Sequence, residues 1–248
     1  MKYITKYKSP NYNSRKNSKI KLIVIHYTAL KNTQIAISYL SNKQKKVSAH
    51  YLISQDGKVY LLVKEKNRAW HAGHSFWNNF TDINSISIGI ELDYSPNGKN
   101  NKFSYKMISS LKKVLFKLQN KYKISKKNIL AHSDIAPFRK KDPGKYFPWD
   151  ILYLSKITLN FAQVKKNHIK IMEDWFNNHK IKSKKKIIIL ALSLIGYDTR
   201  NVYKDHKTYN KLISAYKLRY INYNDKQTND LLYKTLMKHL FKFLLTKN

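Results

Sequence analysis

Residues 131–144, AHSDIAPFRKKDPG, place a histidine, a lysine and an aspartate in one proline-bounded loop. Such a loop looks like half of a metal site, and residues 23–29, IVIHYTA, offer the other half, in which a continuous apolar strand ends in a histidine. The end of a core strand is where a rigid scaffold presents side chains to a site. Together they supply His26, His132 and Asp142, which match in kind and number the three N/O ligands of catalytic zinc.

Further apolar runs around these two stretches predict the other strands of one sheet. Residues 55–58, QDGK, predict a hairpin turn, because Asp-Gly tolerates the positive φ that such turns require. Residues 105–122 predict an amphipathic helix, with apolar residues at three- and four-residue steps and lysines opposite. Strands interleaved with helices predict an α/β fold with a mixed central sheet flanked by helices. The predicted strands are residues 22–26, 49–54, 59–63, 86–92 and 128–132.

The sequence pattern changes at both ends of this α/β region. Residues 1–19 are polar, lysine-rich and without periodicity, which predicts a loose arm. After Trp149 the periodicity is helical only, which predicts a small all-α bundle. We therefore expect a catalytic domain over residues 20–160 and a helical domain over residues 161–248. The predicted helices of the second domain are residues 164–180, 184–195, 207–219 and 228–245.

The composition limits the chemistry of any site. The 248 residues include no cysteine, which excludes disulfides, thiolate metal ligands, a thiol nucleophile and a lipid-bearing cysteine. A metal must therefore be held by nitrogen and oxygen ligands.

The formal net charge of +35 favours contact with polyanions in general. Lysine accounts for 44 of the 49 basic residues, whereas arginine is the usual residue for bidentate contacts to bases and phosphates. We therefore expect no specific nucleic-acid partner, although the charge suits an anionic cell wall. The five arginines are Arg15, Arg68, Arg139, Arg200 and Arg219.

Five blocks of sequence, in a fixed order between about residues 20 and 150, carry a family resemblance. Besides the two opening stretches they are VSAHYLI at 47–53, RAWHAG at 68–73 and SIGIEL at 87–92. In this order they resemble the zinc-dependent N-acetylmuramoyl-L-alanine amidases of the AmpD and AmiD type, with a layout nearest to AmiD. The same family includes phage amidase-type lysozymes and peptidoglycan recognition proteins.

The resemblance implies a zinc cofactor and hydrolysis of the amide between N-acetylmuramic acid and L-alanine in peptidoglycan or muropeptides. It assigns the metal ligands to His26, His132 and Asp142, which could otherwise be core histidines and a turn aspartate. Glu91 is then the general base that takes the proton of the attacking water, although a strand-end carboxylate could simply face solvent. Lys140 corresponds to a cation that stabilises the oxyanion.

Three further residues in the matching blocks have supporting roles by resemblance. His50 supports the metal region from a neighbouring strand rather than binding the metal. Trp70 and His71 line the groove for sugar or peptide. Two departures from the family pattern, Phe138 and Ala131 in place of frequent glycines, leave every functional group present. We expect Phe138 to narrow the groove or shift the loop, which affects substrate shape more than reaction type.

The C-terminal third resembles a small three-helix peptidoglycan-binding domain in residues 192–197, 212–220 and 225–232. Two alternatives stay open. The region could be an ordinary helical bundle, or residues 231–245 could form an amphipathic helix at a membrane surface, with lysines along one side.

Compartment and assembly are less constrained by the sequence. The start MKYITKYK lacks the apolar core of a secretory signal, and the apolar run at residues 187–195 is shorter than the roughly 20 residues of a membrane span. We expect a bacterial monomer without a transmembrane segment. The missing signal favours the cytoplasm, whereas the two-domain layout resembles envelope amidases. The alternative to an enzyme is a non-catalytic peptidoglycan-binding protein.

Overall fold

The computed structural model describes residues 2–99, 101–221 and 228–246. Two single turns of 3-10 helix, Lys43–Lys45 and Lys126–Asn128, accompany the regular elements. The strands are β1 Tyr12–Ser14, β2 Leu22–Tyr27, β3 Tyr51–Ile53, β4 Val59–Leu61, β5 Asn67–Ala69, β6 Ser87–Leu92 and β7 Ile129–Ala131. The helices are α1 Thr33–Leu40, α2 Ile83–Ile86, α3 Tyr105–Tyr122, α4 His132–Ile135, α5 Trp149–Leu154, α6 Lys166–Asn178, α7 Lys184–Ile195, α8 His206–Tyr220 and α9 Asn229–Leu245.

The five predicted strands form one mixed sheet in the order β4-β3-β6-β2-β7. The β3–β4 hairpin is antiparallel, and every other pairing in this sheet is parallel. In the parallel register Val24 is opposite Gly89 and His26 is opposite Glu91. Paired residues point to the same face, because side chains alternate along each strand. The expectation of a mixed sheet flanked by helices is confirmed.

One face of the sheet is mainly apolar and packs against α3. Ile23, Ile25, Ile88 and Ile90 belong to the same buried cluster as the inward residues of that helix. The helix begins where the Ser104 side chain accepts the N–H of Met107, and it ends at Lys123, which has a left-handed conformation. Both ends match the prediction from periodicity. Its buried residues are Met107, Ile108, Leu111, Val114, Leu115 and Leu118.

The opposite face of the sheet is divided into an apolar part and a polar part. Leu22, Val24 and Leu130 join an apolar cluster that continues through the C-terminal helices. His26 and Glu91, further along the same strands, lie beyond this cluster on the same face. The helices α6–α9 therefore cover the part of this face near the start of β2, and they leave open the edge of the sheet where β2 and β6 end. The domain boundary near residue 160 stays a prediction, and the apolar core runs across it.

The N-terminal segment is not a loose arm, and this prediction is wrong. Tyr12–Ser14 pairs with β5, and Ile4 exchanges backbone hydrogen bonds with the β4 edge at 2.9 and 3.0 Å. Asn11 donates to the carbonyl oxygens of Asn42 and Val47, both at 2.8 Å. The prediction relied on the lack of apolar periodicity. This segment is instead held in place by polar side chains that bond to backbone carbonyls, and such contacts leave no periodic pattern in the sequence.

Arg15 makes the most extensive of these contacts and is 5% exposed. Its Nη1 donates to the carbonyls of Asn84 at 3.0 Å and Ser85 at 2.7 Å, and its Nη2 donates to that of Ser87 at 2.8 Å. Its Nε donates to the carbonyl of Glu65 at 2.9 Å. The arm thus fixes the entrance to strand β6.

The last helix, α9, packs inward against α6 and α7. Leu232, Leu236, Met237 and Leu240 on its apolar stripe are buried. The stripe is therefore occupied by packing, which disfavours its use at a membrane surface. Among the residues described, no helix combines the length and hydropathy that a membrane span needs. Residues 225–227 of the third C-terminal match lie outside the described residues.

Replacing Arg15 by methionine should lower the free energy of unfolding by about 2–4 kcal/mol, because four backbone carbonyls lose a charged donor. Urea denaturation followed by circular dichroism measures this. The matched control is Lys19→Met, at an exposed position in the same segment, for which we expect a change below about 0.5 kcal/mol. Equal effects of the two substitutions would show that the arm contributes nothing specific.

Candidate metal centre

Two neighbouring parallel strands bring the predicted metal ligands together. His26 is the fifth residue of β2, and His132 follows β7 directly as the first residue of α4. Since Ile25 of β2 is paired with Ala131 of β7, the residues that follow them, His26 and His132, lie at the same edge of the sheet. Asp142 returns to this edge from the loop after α4, where its carbonyl accepts the N–H of Ser133 at 3.0 Å.

Three donor atoms converge at this edge. The distances are 2.9 Å between the two Nδ1 atoms of His26 and His132, 3.2 Å from His26 Nδ1 to Asp142 Oδ2, and 2.9 Å from His132 Nδ1 to the same oxygen. Ligands at about 2.0–2.1 Å around tetrahedral zinc stand roughly 3.3 Å apart. All three residues are buried. The donor set therefore suits a tetrahedral cation with nitrogen and oxygen ligands.

The charge states of these groups also suit a metal. Burial, and then the neighbouring His132, lower the pKa of His26 to about 4, so its imidazole is neutral at neutral pH. Burial alone would raise the pKa of Asp142, but the charges and hydrogen bonds of His132 and His26 hold it well below its usual range. A neutral imidazole and an ionised carboxylate are the forms that bind metal.

A chain of hydrogen bonds fixes which nitrogen of His26 is free. The Ser87 hydroxyl has one proton and donates it to the Ile83 carbonyl at 2.6 Å, so it accepts from His71 Nε2 at 3.1 Å. His71 Nδ1 must then accept from His26 Nε2, at 3.0 Å. This assignment follows from the hydrogen-bond network. His26 Nδ1 is left with its lone pair directed at the site.

The segment containing His71 is held in place by two close contacts. The side-chain oxygen of Asn84 accepts the N–H groups of His71 and Ala72 at 3.0 and 2.8 Å. The carbonyl of Ala72 then lies 3.2 Å from His132 Nε2, which orients the second histidine in the same way. On the other side the His71 ring lies over Gly89, where any Cβ would overlap the imidazole.

His50 lies behind this arrangement and is fully buried. Its Nδ1 accepts the N–H of Gly89 at 3.0 Å, and its Nε2 lies 3.1 Å from the Asn67 carbonyl. Burial, and then the charge of Arg15, lower its pKa to about 3. His50 is too far back to line the cleft and instead holds the backbone of β6 at the position where His71 packs.

The converging ligands lie in a cleft of about 480 Å³. Glu91, Lys140, Trp70 and His71 also line it, and their roles in the site stay predictions. Trp70 is fixed at the rim by a hydrogen bond from Nε1 to Asn13 Oδ1 at 3.1 Å. The position of Glu91 in this cleft disfavours the alternative that it is simply a strand-end carboxylate facing solvent.

Glu91 is the unusual carboxylate of this cleft. Burial, and then the negative charge of Asp142, raise its pKa to about 8, against a smaller opposing effect of Lys140. Its Oε2 is buried and has no hydrogen-bond partner among the described residues. A carboxylate with a raised pKa next to a metal site is suited to accept and return a proton near neutral pH.

Residues 16–145 match a known family, described as N-acetylmuramoyl-L-alanine amidase. This match covers just over half of the chain. The chain belongs to the N-acetylmuramoyl-L-alanine amidase family. The sequence is 40% identical to Escherichia coli AmiD over 147 residues, covering 54% of this chain and 52% of AmiD. It is 35% identical to Haemophilus influenzae AmpD over 167 residues, covering 60% of this chain and 89% of AmpD.

Solved structures of the amidase family resemble nearly the whole chain. Escherichia coli AmiD aligns with a TM-score of 0.68 at 26% identity, over 96% of this chain and 91% of that one. AmpDH3 of Pseudomonas aeruginosa aligns with a TM-score of 0.73 at 26% identity, over 96% and 95%. The sequence match to AmiD spans about half of that protein, whereas the structural match includes the C-terminal helices.

The two departures from the family pattern have definite places in the structure. Phe138 is half-buried and packs against the apolar cluster of the C-terminal helices, outside the residues that line the cleft. Ala131 is 1% exposed and donates its N–H to Asp134 Oδ2 at 2.8 Å. Phe138 therefore attaches the ligand loop to the helices, and its effect on the shape of the groove stays a prediction.

Several residues that shape the site escaped the sequence analysis, namely Ser87, Gly89, Asn84 and Arg15. Gly89 carried a readable signal, because a glycine inside an apolar strand marks close approach of another group. Asn84 and Arg15 act through backbone groups, and Ser87 acts through the ring of His71, all of which only the fold brings near.

Replacing Gly89 by alanine should displace His71 and free the ring of His26. With zinc as the probe metal, we expect the dissociation constant to rise by about 10-fold or more, as is typical when the partner of a ligand histidine is lost. Competition with a chromophoric chelator measures it. The control is Gly98→Ala in a surface turn, where the added Cβ meets only Ser95, at 3.0 Å and beyond. Unchanged affinity in the Gly89 variant would refute the role of His71.

The pKa of Glu91 predicts a pH-dependent stability of the metal-free protein. A carboxyl raised from its ordinary value of 4.5 to about 8 stabilises the fold fully below pH 4.5, and this contribution is lost as the pH rises to 8. Glu91→Gln does not titrate. The stability of this variant relative to wild type should increase by on the order of 2 kcal/mol between pH 5 and 8 in urea denaturation. A difference independent of pH would contradict the raised pKa.

Proposed function

We propose that the protein is a zinc-dependent N-acetylmuramoyl-L-alanine amidase that cleaves the amide between N-acetylmuramic acid and L-alanine. The observation that carries this proposal is the convergence of His26 Nδ1, His132 Nδ1 and Asp142 Oδ2 within 3.2 Å, beside Glu91, in a member of this family. Three nitrogen and oxygen ligands with a cleft on the open side are typical of catalytic rather than structural zinc. A Mg²⁺ or Ca²⁺ site would be built mainly from oxygen ligands.

When bound, zinc polarises an amide carbonyl and makes a water molecule more acidic. The residues of the chain perform the remaining work. Glu91 takes the proton from the attacking water and returns it to the leaving amine, a double role that suits its raised pKa. Lys140 supplies a fixed positive charge at the mouth of the cleft, where it stabilises the oxyanion of the tetrahedral state.

The substrates of the relatives and the charge of the chain support a proposal for the substrate class. The AmiD structure is a complex with anhydro-N-acetylmuramic acid-L-Ala-D-γ-Glu-L-Lys, and AmpDH3 has been solved with an anhydromuramic pentapeptide. We propose that this chain acts on peptidoglycan or muropeptides of the same kind. Arg139, Lys140 and Lys141 line the cleft and suit the carboxylates of a stem peptide. Turnover or recycling of the cell wall is the corresponding biological role.

A second candidate function is non-catalytic binding of peptidoglycan. The complete ligand set disfavours it, and so does the Glu91 oxygen that has no hydrogen-bond partner within the described part of the chain, because a binding protein has no use for a proton acceptor beside the metal. Attachment to the wall by residues 161–248, a monomeric state and the lack of a specific nucleic-acid partner stay predictions.

Removal of metal should abolish hydrolysis, and one equivalent of zinc should restore it. Sacculi and anhydro-muropeptide are incubated with chelator-treated and zinc-loaded protein, and products are identified by mass spectrometry. Free stem peptide should appear only with zinc. His26→Ala should prevent zinc binding, whereas His74→Ala, at an exposed histidine nearby, should behave as wild type. Activity indifferent to chelators would exclude the mechanism.

Replacing Glu91 by glutamine should lower kcat by about 10²- to 10⁴-fold, since the proton acceptor is lost. The zinc dissociation constant should change by less than about threefold, because Glu91 is not a ligand. Glu65→Gln is the matched control, a half-buried carboxylate that accepts from Lys121 and Tyr122 outside the cleft. Full activity of the Glu91 variant would remove this residue from the mechanism. Binding without any turnover by the zinc-loaded wild type would support the non-catalytic alternative.

A further inference from the structure

A buried ion pair attaches the metal-ligand loop to the C-terminal helices. Asp134 lies two residues after His132 in α4, and its side chain is fully buried. Arg219, near the end of α8, has a side chain that is 2% exposed. Arg219 Nη1 donates to Asp134 Oδ2, and Nη2 donates to the Ile129 carbonyl at 2.7 Å. One guanidinium from the helices thus holds both the strand before His132 and the helix that contains it.

The second oxygen of Asp134 is also held from the C-terminal region. Tyr197, just after α7, donates its hydroxyl proton to Asp134 Oδ1 at 2.6 Å. The N–H of Ala131 donates to Oδ2 at 2.8 Å. The carboxylate therefore links two separate C-terminal elements to the residue directly before His132.

These contacts extend to the third metal ligand. The N–H of Ser133 donates to the carbonyl of Asp142 at 3.0 Å, so α4 and the Asp142 loop move together. Ile135 and Ala136 are buried in the apolar cluster shared with the C-terminal helices. A shift of α4 relative to α7 and α8 would therefore displace two of the three ligands.

We propose that Arg219 and Tyr197 are positioning residues of the metal centre, which they orient through Asp134. The C-terminal helices are then part of the scaffold that holds the ligands, in addition to any role in wall attachment. This inference rests on the proposed metal site. A buried ion pair contributes little net stability compared with a well-packed apolar substitute, but it specifies geometry, which a ligand set requires.

The test compares two tyrosine hydroxyls of the same helical region. Tyr197→Phe removes the bond to Asp134. Tyr216→Phe is the matched control, since its buried hydroxyl lies 3.3 Å from His239 Nδ1 and bonds within the bundle. Zinc dissociation constants of the full-length proteins are measured by competition with a chromophoric chelator. We expect a rise of about 3- to 10-fold for Tyr197→Phe, and of less than about twofold for Tyr216→Phe. Equal effects of the two variants would overturn the proposal.

Arg219→Lys tests the contacts of Arg219 with Asp134 and with the Ile129 carbonyl. It keeps a positive charge at Asp134 but has one nitrogen in place of the planar fork, so it cannot reproduce the geometry of the bond to Ile129. Its zinc dissociation constant should rise at least as much as that of Tyr197→Phe. A value equal to wild type would remove Arg219 from the proposal.

Amide hydrogen exchange in the metal-free proteins gives a readout that does not depend on zinc. The amides of Ala131 and Ser133 should exchange about 3- to 10-fold faster in Tyr197→Phe and at the wild-type rate in Tyr216→Phe. Unchanged exchange at these two amides would overturn the proposal, as would faster exchange with unaltered zinc affinity. A wild-type protein that bound no zinc would overturn the proposed function. The exchange rates of the Ala131 and Ser133 amides would then still show whether the C-terminal helices hold the ligand loop.

Discussion

The parallel pairing of β2 with both β6 and β7 is the constraint on which the site depends. It places His26 beside Glu91 in one direction and beside the start of α4 in the other. Because side chains alternate along a strand, the same register that buries Ile23 and Ile25 against α3 directs Val24 into the opposite core and His26 into the cleft. A shift of β2 by one residue in this register would turn His26 toward the apolar core and Ile25 toward the cleft.

Much of this could be predicted from sequence, because it depends on local pattern. The apolar runs gave the five strands of the sheet to within two residues at each end, and periodicity gave α3 with both ends correct. The ligand and cleft residues fell in blocks whose order carries the family resemblance, and the structure brings His26, His132 and Asp142 to one point.

The remainder depends on contacts between distant parts of the chain, which no local pattern records. The arm of residues 1–19 is polar, so its sequence predicts looseness, yet its order comes from donors that meet carbonyls 31 to 72 positions away. The tie between Asp134 and Arg219 spans 85 positions. His71 lines the cleft, but its hydrogen bond to His26 could not be read from the sequence, because it depends on contacts of His71 with Gly89 and Ser87 on β6.

The few arginines of the chain have a distinct structural role. A composition that uses lysine 44 times has kept only five arginines, and each of them donates through at least two of its nitrogens to separate acceptor atoms. Lysine, with a single nitrogen, cannot span such sets of acceptors. Arg68 and Arg200 bond to side-chain oxygens, and the partner of Arg200 lies only two positions before it. Arg15, Arg139 and Arg219 instead donate to backbone carbonyls of distant segments. In a protein with this composition, these three arginines therefore mark the places around the metal centre where backbone segments are tied together.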